Sequence, residues 1–444
     1  MKNNNRTRRP SRRVSAHTIQ GVLALLVLIF VVPNVLLNMI NPDDPGEYSW
    51  YSGPILPMSS LSGGEGVQVS REVTLDFAIY AEEKEYSFDP ERVTVTDTYI
   101  LNNPGGEAAS VELVLGLEGR LTERLPEITV DGRPASAVLW PADALNDGQG
   151  GINDFQEYSR ALTKNDLLAE AMAEAPAWDE TVKVYHFYNL KYEGTEPNPP
   201  LLGISYKYSN NTNLWMRTYE MSGVADGREH LYFGLEEDVW LYVVGEDLKD
   251  LEAGGSRVHT HGIHTASDVE GVTYELEVYD ARFADCLREA AEGYTHEYGD
   301  GADPLTPEMR YNKAMKQIAA MDRMPGNSYA MDTCFYKLYE EIRMLYWVIP
   351  VEIPAGGSVT VSVAYIKESS HNSEDTRHGY EIAPTLGSNL NFTEQRVTLV
   401  NTAPVELSDL SEGQNFGFDL AAGINTVTLD LSVERYFMDL ILRE

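Results

Sequence analysis

The segment RVTVTDTYILNN at residues 92–103 decides the fold class, because β-branched and aromatic residues alternate with polar ones along it. Successive side chains of a strand point to opposite faces of a sheet, so this period of two predicts a strand with one buried face. The neighbouring segments VQVSREVTLDFAIYA, ASVELVLGLEG and EITVDGRPASAVLW share the pattern, and Asn-Asn-Pro-Gly-Gly and Asp-Gly turn signals separate the segments. Strands broken by turns at this spacing predict an antiparallel β-sandwich.

Strand patterns return further along the chain, in VKVYHFYNLKY, LLGISYKYS, NLWMRTYEM, EHLYFGL and DVWLYVVG, and near its end in RVTLVN, INTVTLDLSVE and RYFMDLILRE. Helical spacing interrupts them at about 153–175. It does so again at about 281–344, in ARFADCLREAAEGY, TPEMRYNKAMKQIAAMD and SYAMDTCFYKLYEEIRML. Strands flank both interruptions. The pattern therefore predicts a mainly β protein with a helical insertion.

The alternating strands and the sequence IPAGGSVTVSVAY at residues 353–365 resemble the immunoglobulin-like or fibronectin-like modules of bacterial surface proteins. The resemblance covers about residues 67–140 and 345–367, and it implies a β-sandwich fold and nothing finer. The helical insertion departs from such modules.

The N-terminus contains the strongest single signal. Residues 18–40, TIQGVLALLVLIFVVPNVLLNMI, carry no charge and are long enough as a helix to cross a hydrocarbon core of roughly 30 Å. The preceding tail holds only basic charges, and acidic residues follow the span, so the tail is predicted to face the cytoplasm. The apolar run is too long for a signal peptide and lacks a small-residue cleavage site, which favours an uncleaved anchor.

The chain divides into six predicted regions. Residues 1–17 form a basic cytoplasmic tail, 18–40 the single transmembrane helix, and 41–66 a linker rich in Pro, Gly and Ser. Residues 67–255 form a β-sandwich region with a short helical insertion, 256–367 form strands with the inserted helices, and 368–444 form a C-terminal β region. The main part of the chain is thus predicted to be extracytoplasmic, in a bacterial membrane protein.

Composition excludes some classes of function. The 444 residues carry 69 acidic against 34 basic side chains, a formal net charge of −35, which repels nucleic acid and other anionic polymers. Hydrophobic residues make up 43% of the chain, enough to build packed cores and to exclude general disorder. No nucleic-acid partner is predicted.

Two cysteines, Cys286 and Cys334, are too few for a disulfide-rich scaffold. Both lie in segments with helical spacing. They are predicted either to form a disulfide between two packed helices or to remain two buried thiols.

Metal sites are the next possibility. His259, His261 and His264 lie within the segment RVHTHGIHT, and the first two share one face of a strand, so together they are candidate zinc ligands. The segment NDGQGGIND offers Asn146, Asp147, Asn153 and Asp154 as oxygen donors for calcium, although it departs from the EF-hand template. For both segments an exposed polar loop is the preferred interpretation, with zinc or calcium as the alternative, and no cofactor is predicted.

Aromatic residues are dense in the second strand block and suggest a sugar-binding platform as one reading. The strand alternation instead predicts that most of these aromatic residues pack inside the protein. The whole aromatic set consists of Tyr185, Phe187, Trp215, Tyr219, Tyr232, Trp240 and Tyr242. A second set, Tyr336, Leu338, Tyr339, Met344 and Leu345, is read in the same way as a helical packing stripe.

The sequence lacks the G-x-S-x-G, S-x-x-K, H-E-x-x-H, Walker A and C-x-x-C templates, so no specific enzymatic activity is predicted. The predicted function is a membrane-anchored extracytoplasmic binding module for a protein partner or a cell-envelope glycan. One alternative is an extracytoplasmic hydrolase of envelope polysaccharide, metal-dependent through the histidine triplet. Another is an assembly partner whose membrane helix and tail dock a larger complex.

Overall fold

The computed structural model describes residues 50–77, 92–144, 152, 154–178, 180–196, 198–207, 211–218, 221–225, 227–257, 269–296, 303–321, 328–371, 377–401, 405–407, 413–419 and 423–442. The predicted cytoplasmic tail and transmembrane segment lie outside these residues. None of the helices within them is both long enough and apolar enough to cross a membrane.

The described residues are mainly β, with helices in the two predicted places. The strands are β1 (Ser59–Gly63), β2 (Gln68–Asp76), β3 (Arg92–Asn102), β4 (Ala109–Gly119), β5 (Glu127–Val130), β6 (Arg133–Pro134), β7 (Val138–Ala144), β8 (Thr181–Tyr192), β9 (Leu201–Lys207), β10 (Thr212–Met216), β11 (Met221–Ala225), β12 (Arg228–Phe233), β13 (Val239–Gly245), β14 (Lys249–Ser256), β15 (Val272–Arg282), β16 (Ser328–Ala330), β17 (Arg343–Ile353), β18 (Ser358–Glu368), β19 (Ser370–His371), β20 (Arg377–Ile382), β21 (Asn391–Val400), β22 (Val405–Leu407), β23 (Ile424–Thr428) and β24 (Tyr436–Leu442). The helices are α1 (Phe155–Asn165), α2 (Leu167–Met172), α3 (Phe283–Gly293), α4 (Pro307–Ala320) and α5 (Met331–Glu340). The prediction of a mainly β protein with a helical insertion is confirmed.

The strands form five sheets. Sheet I has the order β1-β4-β17-β7, sheet II β23-β21-β2-β3-β18-β5-β6, sheet III β15-β8-β13-β10-β16, sheet IV β11-β12-β9-β14 and sheet V β19-β20-β24-β22. One apolar cluster contains buried residues of sheets I, II and V, such as Leu113, Val361 and Met438. These three sheets therefore share a single core.

At two places consecutive strands lie in different sheets, whereas β2 with β3 and β5 with β6 pair antiparallel within sheet II. Strand β3 lies in sheet II and β4 in sheet I, and likewise β17 lies in sheet I and β18 in sheet II. Within sheet I, β4 pairs with β17, and within sheet II, β3 pairs with β18, each over eleven residues. Because the pairs combine segments far apart in the sequence, the core closes only when residues 343–368 return to the first strands.

Sheet III shows why the period of two was informative. Along β8, Val182 and Val184 contact the three insertion helices, whereas Phe187 faces the opposite cluster, toward sheet IV. Along β10, Trp215 faces the helices and Leu214 faces sheet IV. Alternate side chains thus pack against two different layers, and the insertion helices α3–α5 cover one face of sheet III.

Helix ends follow local capping chemistry. The Asp154 side chain accepts from the backbone N–H of Glu157 at 2.7 Å and begins α1. Asp166 adopts a left-handed conformation with φ 41°, so it ends α1, and its side chain then caps α2 by accepting from the N–H of Ala169. Thr306 begins α4 in the same way, with Pro307 in its first turn. The helix predicted at about 153–175 is confirmed as this pair.

Three sequence expectations are corrected. The third insertion helix is shorter than the pattern suggested: 328–330 are strand β16, and from Arg343 the chain is strand β17, because Met344 and Leu345 extend a run of apolar strand residues. The linker predicted for 41–66 does not extend that far, because Ile55 and Met58 are buried. The region boundaries near 255 and 367 do not separate the sheets either, since β17 and β18 pair with strands of the first region.

Hydrogen bonds hold residues 50–58 against the sheets. The backbone N–H of Met58 donates to Tyr99 Oη at 2.9 Å, and the buried Arg71 donates through Nη2 to the carbonyl of Leu56 at 3.0 Å. On the other side, Trp50 exchanges two backbone hydrogen bonds with His371. The start of the described chain is therefore a structural part of the core and not a spacer.

Candidate functional site

Most of the predicted metal ligands lie outside the described residues. His259, His261 and His264 lie outside the described residues, as do Asn146, Asp147 and Asn153 of the proposed calcium loop. Of that loop, Asp154 is described and serves as the N-cap of α1. Within the part of the chain that the structure describes, no group of three or more histidine, cysteine or acidic side chains has an arrangement that would hold a metal ion.

The two cysteines come together through the insertion helices. Cys286 on α3 and Cys334 on α5 belong to the same apolar cluster, and both are buried and free in the structure. Burial raises the pKa of each thiol to about 11. Such thiols are poor nucleophiles at neutral pH, so neither is a candidate catalytic group.

The aromatic residues of the second strand block pack inside the protein, as the alternation predicted. Buried members are Tyr185, Phe187, Trp215, Tyr232 and Tyr242, whereas Tyr219 lies outside the described residues. Trp240 is half-buried and stacks on His186 with ring centroids 4.5 Å apart. The second predicted stripe is also buried, apart from Tyr336, which is 55% exposed. The buried members of this set are therefore core residues and do not form an exposed aromatic platform.

A large cleft forms instead where the insertion helices approach sheet I. Its volume is about 1170 Å³, which is in the range of small-molecule sites or slightly above it. Its lining includes residues of α4, α5 and β16, Trp215 of β10, and Trp50, Arg120 and Asp143. The cleft thus lies between the helical layer and the first core.

Stacked aromatic rings form part of this cleft. Tyr329 stacks on Trp215 with ring centroids 4.9 Å apart and an interplanar angle of 26°, and Tyr329 is itself half-buried. Trp215 also contacts Phe283 edge-on at 5.5 Å, which fixes the indole from behind. Although Trp215 is fully buried, its Nε1–H has no acceptor among the described residues. Buried donors are normally paired, so this one is unusual.

Charged side chains line the rim of the cleft. The cationic lining residues are Lys316 of α4, Lys337 of α5 and Arg120, and Arg120 pairs with Glu123 at 3.5 Å. The acidic lining residues are already held by cations. Asp143 pairs with the buried Lys313 at 3.1 Å, and Glu341 pairs with the buried Arg343 at 3.4 Å.

A narrow recess adjoins the cleft, since Trp50 and Ile342 line both. The recess has a volume of about 50 Å³ and is bordered by Glu118, Glu123 and Glu368. Burial raises the pKa of Glu118 to about 7, and its Oε2 has no hydrogen-bond partner among the described residues. Burial lowers the pKa of the neighbouring Lys367, whose Nζ donates to the carbonyl of Ser52. The recess has room for water molecules but not for a sugar ring.

Residues of the cleft come from positions 50 to 342, and sequence reasoning did not assemble them. Trp50 was assigned to the linker and Trp215 to core packing. The one available signal was the helical insertion itself, because an insertion that covers a sheet creates a boundary with its neighbours.

Comparisons with known proteins place no family on the chain. No protein-family model matches it, and no curated protein matches it either. Among solved structures, one similar chain comes from Legionella pneumophila and is described as a candidate nutrient-binding protein. The two chains share 7% identity over 87% of this chain and 70% of that one, with a TM-score of 0.28. A likeness at this level carries no argument about fold or function.

Proposed function

We propose that the chain is a membrane-anchored extracytoplasmic binding protein that takes a cell-envelope glycan, or a partner bearing one, in the cleft between the insertion helices and sheet I. The observation that carries the proposal is the cleft itself, with Tyr329 and Trp215 stacked at one side and Trp50 at another. Aromatic faces pair with the apolar C–H faces of sugar rings, and the surrounding polar groups supply directional hydrogen bonds.

A glycan suits this cleft better than a flat protein surface does. The lining mixes aromatic rings with small polar side chains, among them Ser222, Gln317, Ser328 and Thr333. Protein–protein interfaces are usually flatter, with a larger apolar centre. A concave site with a few convergent polar groups is typical of small polar ligands.

The anchor rests on the sequence of residues 18–40, with the basic tail before it. Residues 41–49 connect this segment to Trp50 at the cleft, and nine residues span at most roughly 30 Å. The cleft is therefore expected to lie close to the extracytoplasmic face of the membrane that holds the anchor, where envelope polymers are abundant.

The finer fold proposal is a β-sandwich that supports this cleft. Sheets I and II contribute to one apolar cluster, and their strands pair mainly antiparallel, as in immunoglobulin-like and fibronectin-like modules. The parallel pairing of β2 with β21 differs from a simple antiparallel sandwich.

A hydrolase of envelope polysaccharide is the second candidate, favoured by the three glutamates at the recess. Glu118 has a pKa of about 7, which suits a general acid, and Glu123 and Glu368 border the same space. The recess, however, is too small for the scissile sugar, so these groups would act only from the edge of the cleft. This geometry favours binding over hydrolysis.

Two measurements test the proposal. In intact cells that express the full chain with a C-terminal epitope, added protease should remove the epitope, and a protected epitope would contradict the orientation. The detergent-purified full chain should co-sediment with isolated envelope polysaccharide, and Tyr329→Ala should weaken this binding. Polysaccharide that shortens during incubation, with Glu118→Gln inactive and the exposed Glu107→Gln active, would instead establish the hydrolase.

A further inference from the structure

The charge of the cleft differs in sign from that of the chain. The whole chain has a net charge of −35, yet Lys316 and Lys337 line the cleft. Arg120 also lines it, but this side chain pairs with Glu123 at 3.5 Å. Its two acidic lining residues are neutralised by Lys313 and Arg343, which do not line it. Exposed charges farther away than about 8–10 Å are largely screened at physiological salt, so these cations dominate the local field.

The two lysines are differently placed. Lys316 Nζ donates to the backbone carbonyl of Glu170 at 2.7 Å, so its ammonium is fixed at the rim. Lys337 is exposed and makes no side-chain hydrogen bond or ion pair with the rest of the described chain. One ammonium is therefore preorganised and the other is free to meet an anion.

The unsatisfied donor of Trp215 points to the same class of ligand. Its Nε1–H needs an acceptor, and a buried donor gains most from an oxygen that excludes water. Next to it, the ring of Tyr329 offers a face for stacking. A matching ligand has a ring that stacks on Tyr329, an oxygen that accepts from Trp215 and a negative charge for the lysines. A sugar that bears an anionic group has all three.

We infer that the cleft selects acidic saccharides, in which a sugar ring packs on Tyr329, a ring or hydroxyl oxygen accepts from Trp215 Nε1, and an anionic substituent meets Lys316 and Lys337. This inference rests on the proposed function and makes its ligand specific. Carboxylate and phosphate substituents share the required chemistry, so hexuronic acids and sugar phosphates are the two sources.

The test uses the full chain in detergent and isothermal titration calorimetry. The probes are trigalacturonate, a hyaluronan tetrasaccharide, galactose 6-phosphate and the neutral trisaccharide of galactose, which lacks only the carboxylates of the first probe. We expect at least one acidic probe to bind at least about tenfold more tightly than the neutral sugar at low salt, and this preference to shrink as salt rises. Tighter binding of trigalacturonate or hyaluronan indicates a hexuronic acid as the ligand, and tighter binding of galactose 6-phosphate indicates a sugar phosphate.

Matched variants assign the preference to residues. Lys316→Gln with Lys337→Gln should weaken the acidic probe by about tenfold or more relative to the neutral one, whereas the exposed Lys249→Gln changes neither. Trp215→Phe should weaken both probes, and Trp240→Phe, outside the cleft, should not. If Trp215→Phe fails to fold, Tyr329→Ala tests the stacking face instead.

Each outcome has a defined meaning. Equal affinity for acidic and neutral sugars, or a preference that survives the double lysine change, overturns the inference and leaves the binding function standing. Failure of every probe to bind the folded full chain overturns the glycan-binding function as well.

Discussion

Arg71 and Asp97 form a two-point ion pair between the adjacent strands β2 and β3, with Nε 2.9 Å from Oδ1 and Nη2 2.7 Å from Oδ2, and neither side chain is exposed. Tyr99 Oη donates to the same carboxylate at 2.8 Å, and Arg71 also donates to Leu56 and Gln395. Every partner is therefore satisfied by another buried group. The pair fastens residues 50–58 and β21 to the centre of sheet II.

Breaking this ion pair should lower the free energy of unfolding strongly. We expect Arg71→Met to lower the free energy of unfolding by about 3–5 kcal/mol, because Asp97 is left as an uncompensated buried charge. The double variant Arg71→Met with Asp97→Leu should lose less, since no charge remains buried. Urea denaturation measures both. Arg124→Met is the control, because its ion pair with Glu127 is mostly exposed and should change stability by about 1 kcal/mol or less. A single variant as mild as this control would contradict the assignment.

The stability of the fold should depend on Glu118. Its pKa of about 7 in the folded protein lies above the value of an unfolded glutamate, so the folded state holds the proton more tightly. Its contribution to stability is therefore fully present below about pH 4.5 and is lost as pH rises to about 7. Glu118→Gln should remove this dependence and be more stable than the wild type at pH 8, by on the order of 1–3 kcal/mol.

Thermal melts between pH 4 and 8 measure this difference. Glu107→Gln is the matched control, because Glu107 is exposed. Parallel pH profiles for wild type and Glu118→Gln would show that Glu118 is not the group responsible.

Asn103 joins the two loops that cross between sheets I and II. Its Nδ2 donates to the carbonyls of Glu107 and Pro354 at 2.8 and 3.2 Å, and its Oδ1 accepts from the N–H of Gly105 at 2.9 Å. Asn103→Ala should lower the free energy of unfolding by about 1–3 kcal/mol, since three partly buried hydrogen bonds to the backbone are lost. Asn103→Asp should also destabilise the fold, because a carboxylate oxygen replaces the amide that donates to these carbonyls, and two acceptors then face each other.

Denaturation midpoints check this assignment. Asn425→Ala is the control, since that side chain makes one exposed hydrogen bond at 3.2 Å. An equal loss in the two alanine variants would show that the inter-sheet loops do not depend on Asn103.

The thiols of Cys286 and Cys334 should react slowly in the native protein. Both are buried, and a pKa of about 11 leaves little thiolate at pH 8. A thiol-labelling reagent should therefore find almost no reactive cysteine in the folded chain and two in denaturant without reductant. Finding none in denaturant would establish the disulfide that the sequence allowed.

The sequence predicted correctly the features that depend on interactions between near neighbours in the chain, and it missed features that depend on distant pairing. Strand alternation in residues 92–103 and in β8 predicted which face would be buried, because each side chain's direction is set by its own backbone. The boundary near Arg343 was missed, because the helical pattern of residues 331–340 continues smoothly into the apolar start of β17. Pairing of that strand with β4, more than 200 residues earlier, decides its conformation.

The sequence alone determined that the chain is mainly β, that helices interrupt it in two places and that most of the aromatic residues singled out in the second strand block lie inside, since periodicity and capping act over a few residues. Only the tertiary structure decided where a ligand could enter. Trp50, Trp215, Tyr329 and Lys337 have no spacing in common, and they meet because the insertion helices cover sheet III beside the first core. A site built from side chains hundreds of residues apart depends on how whole layers pack, and no local pattern encodes that packing.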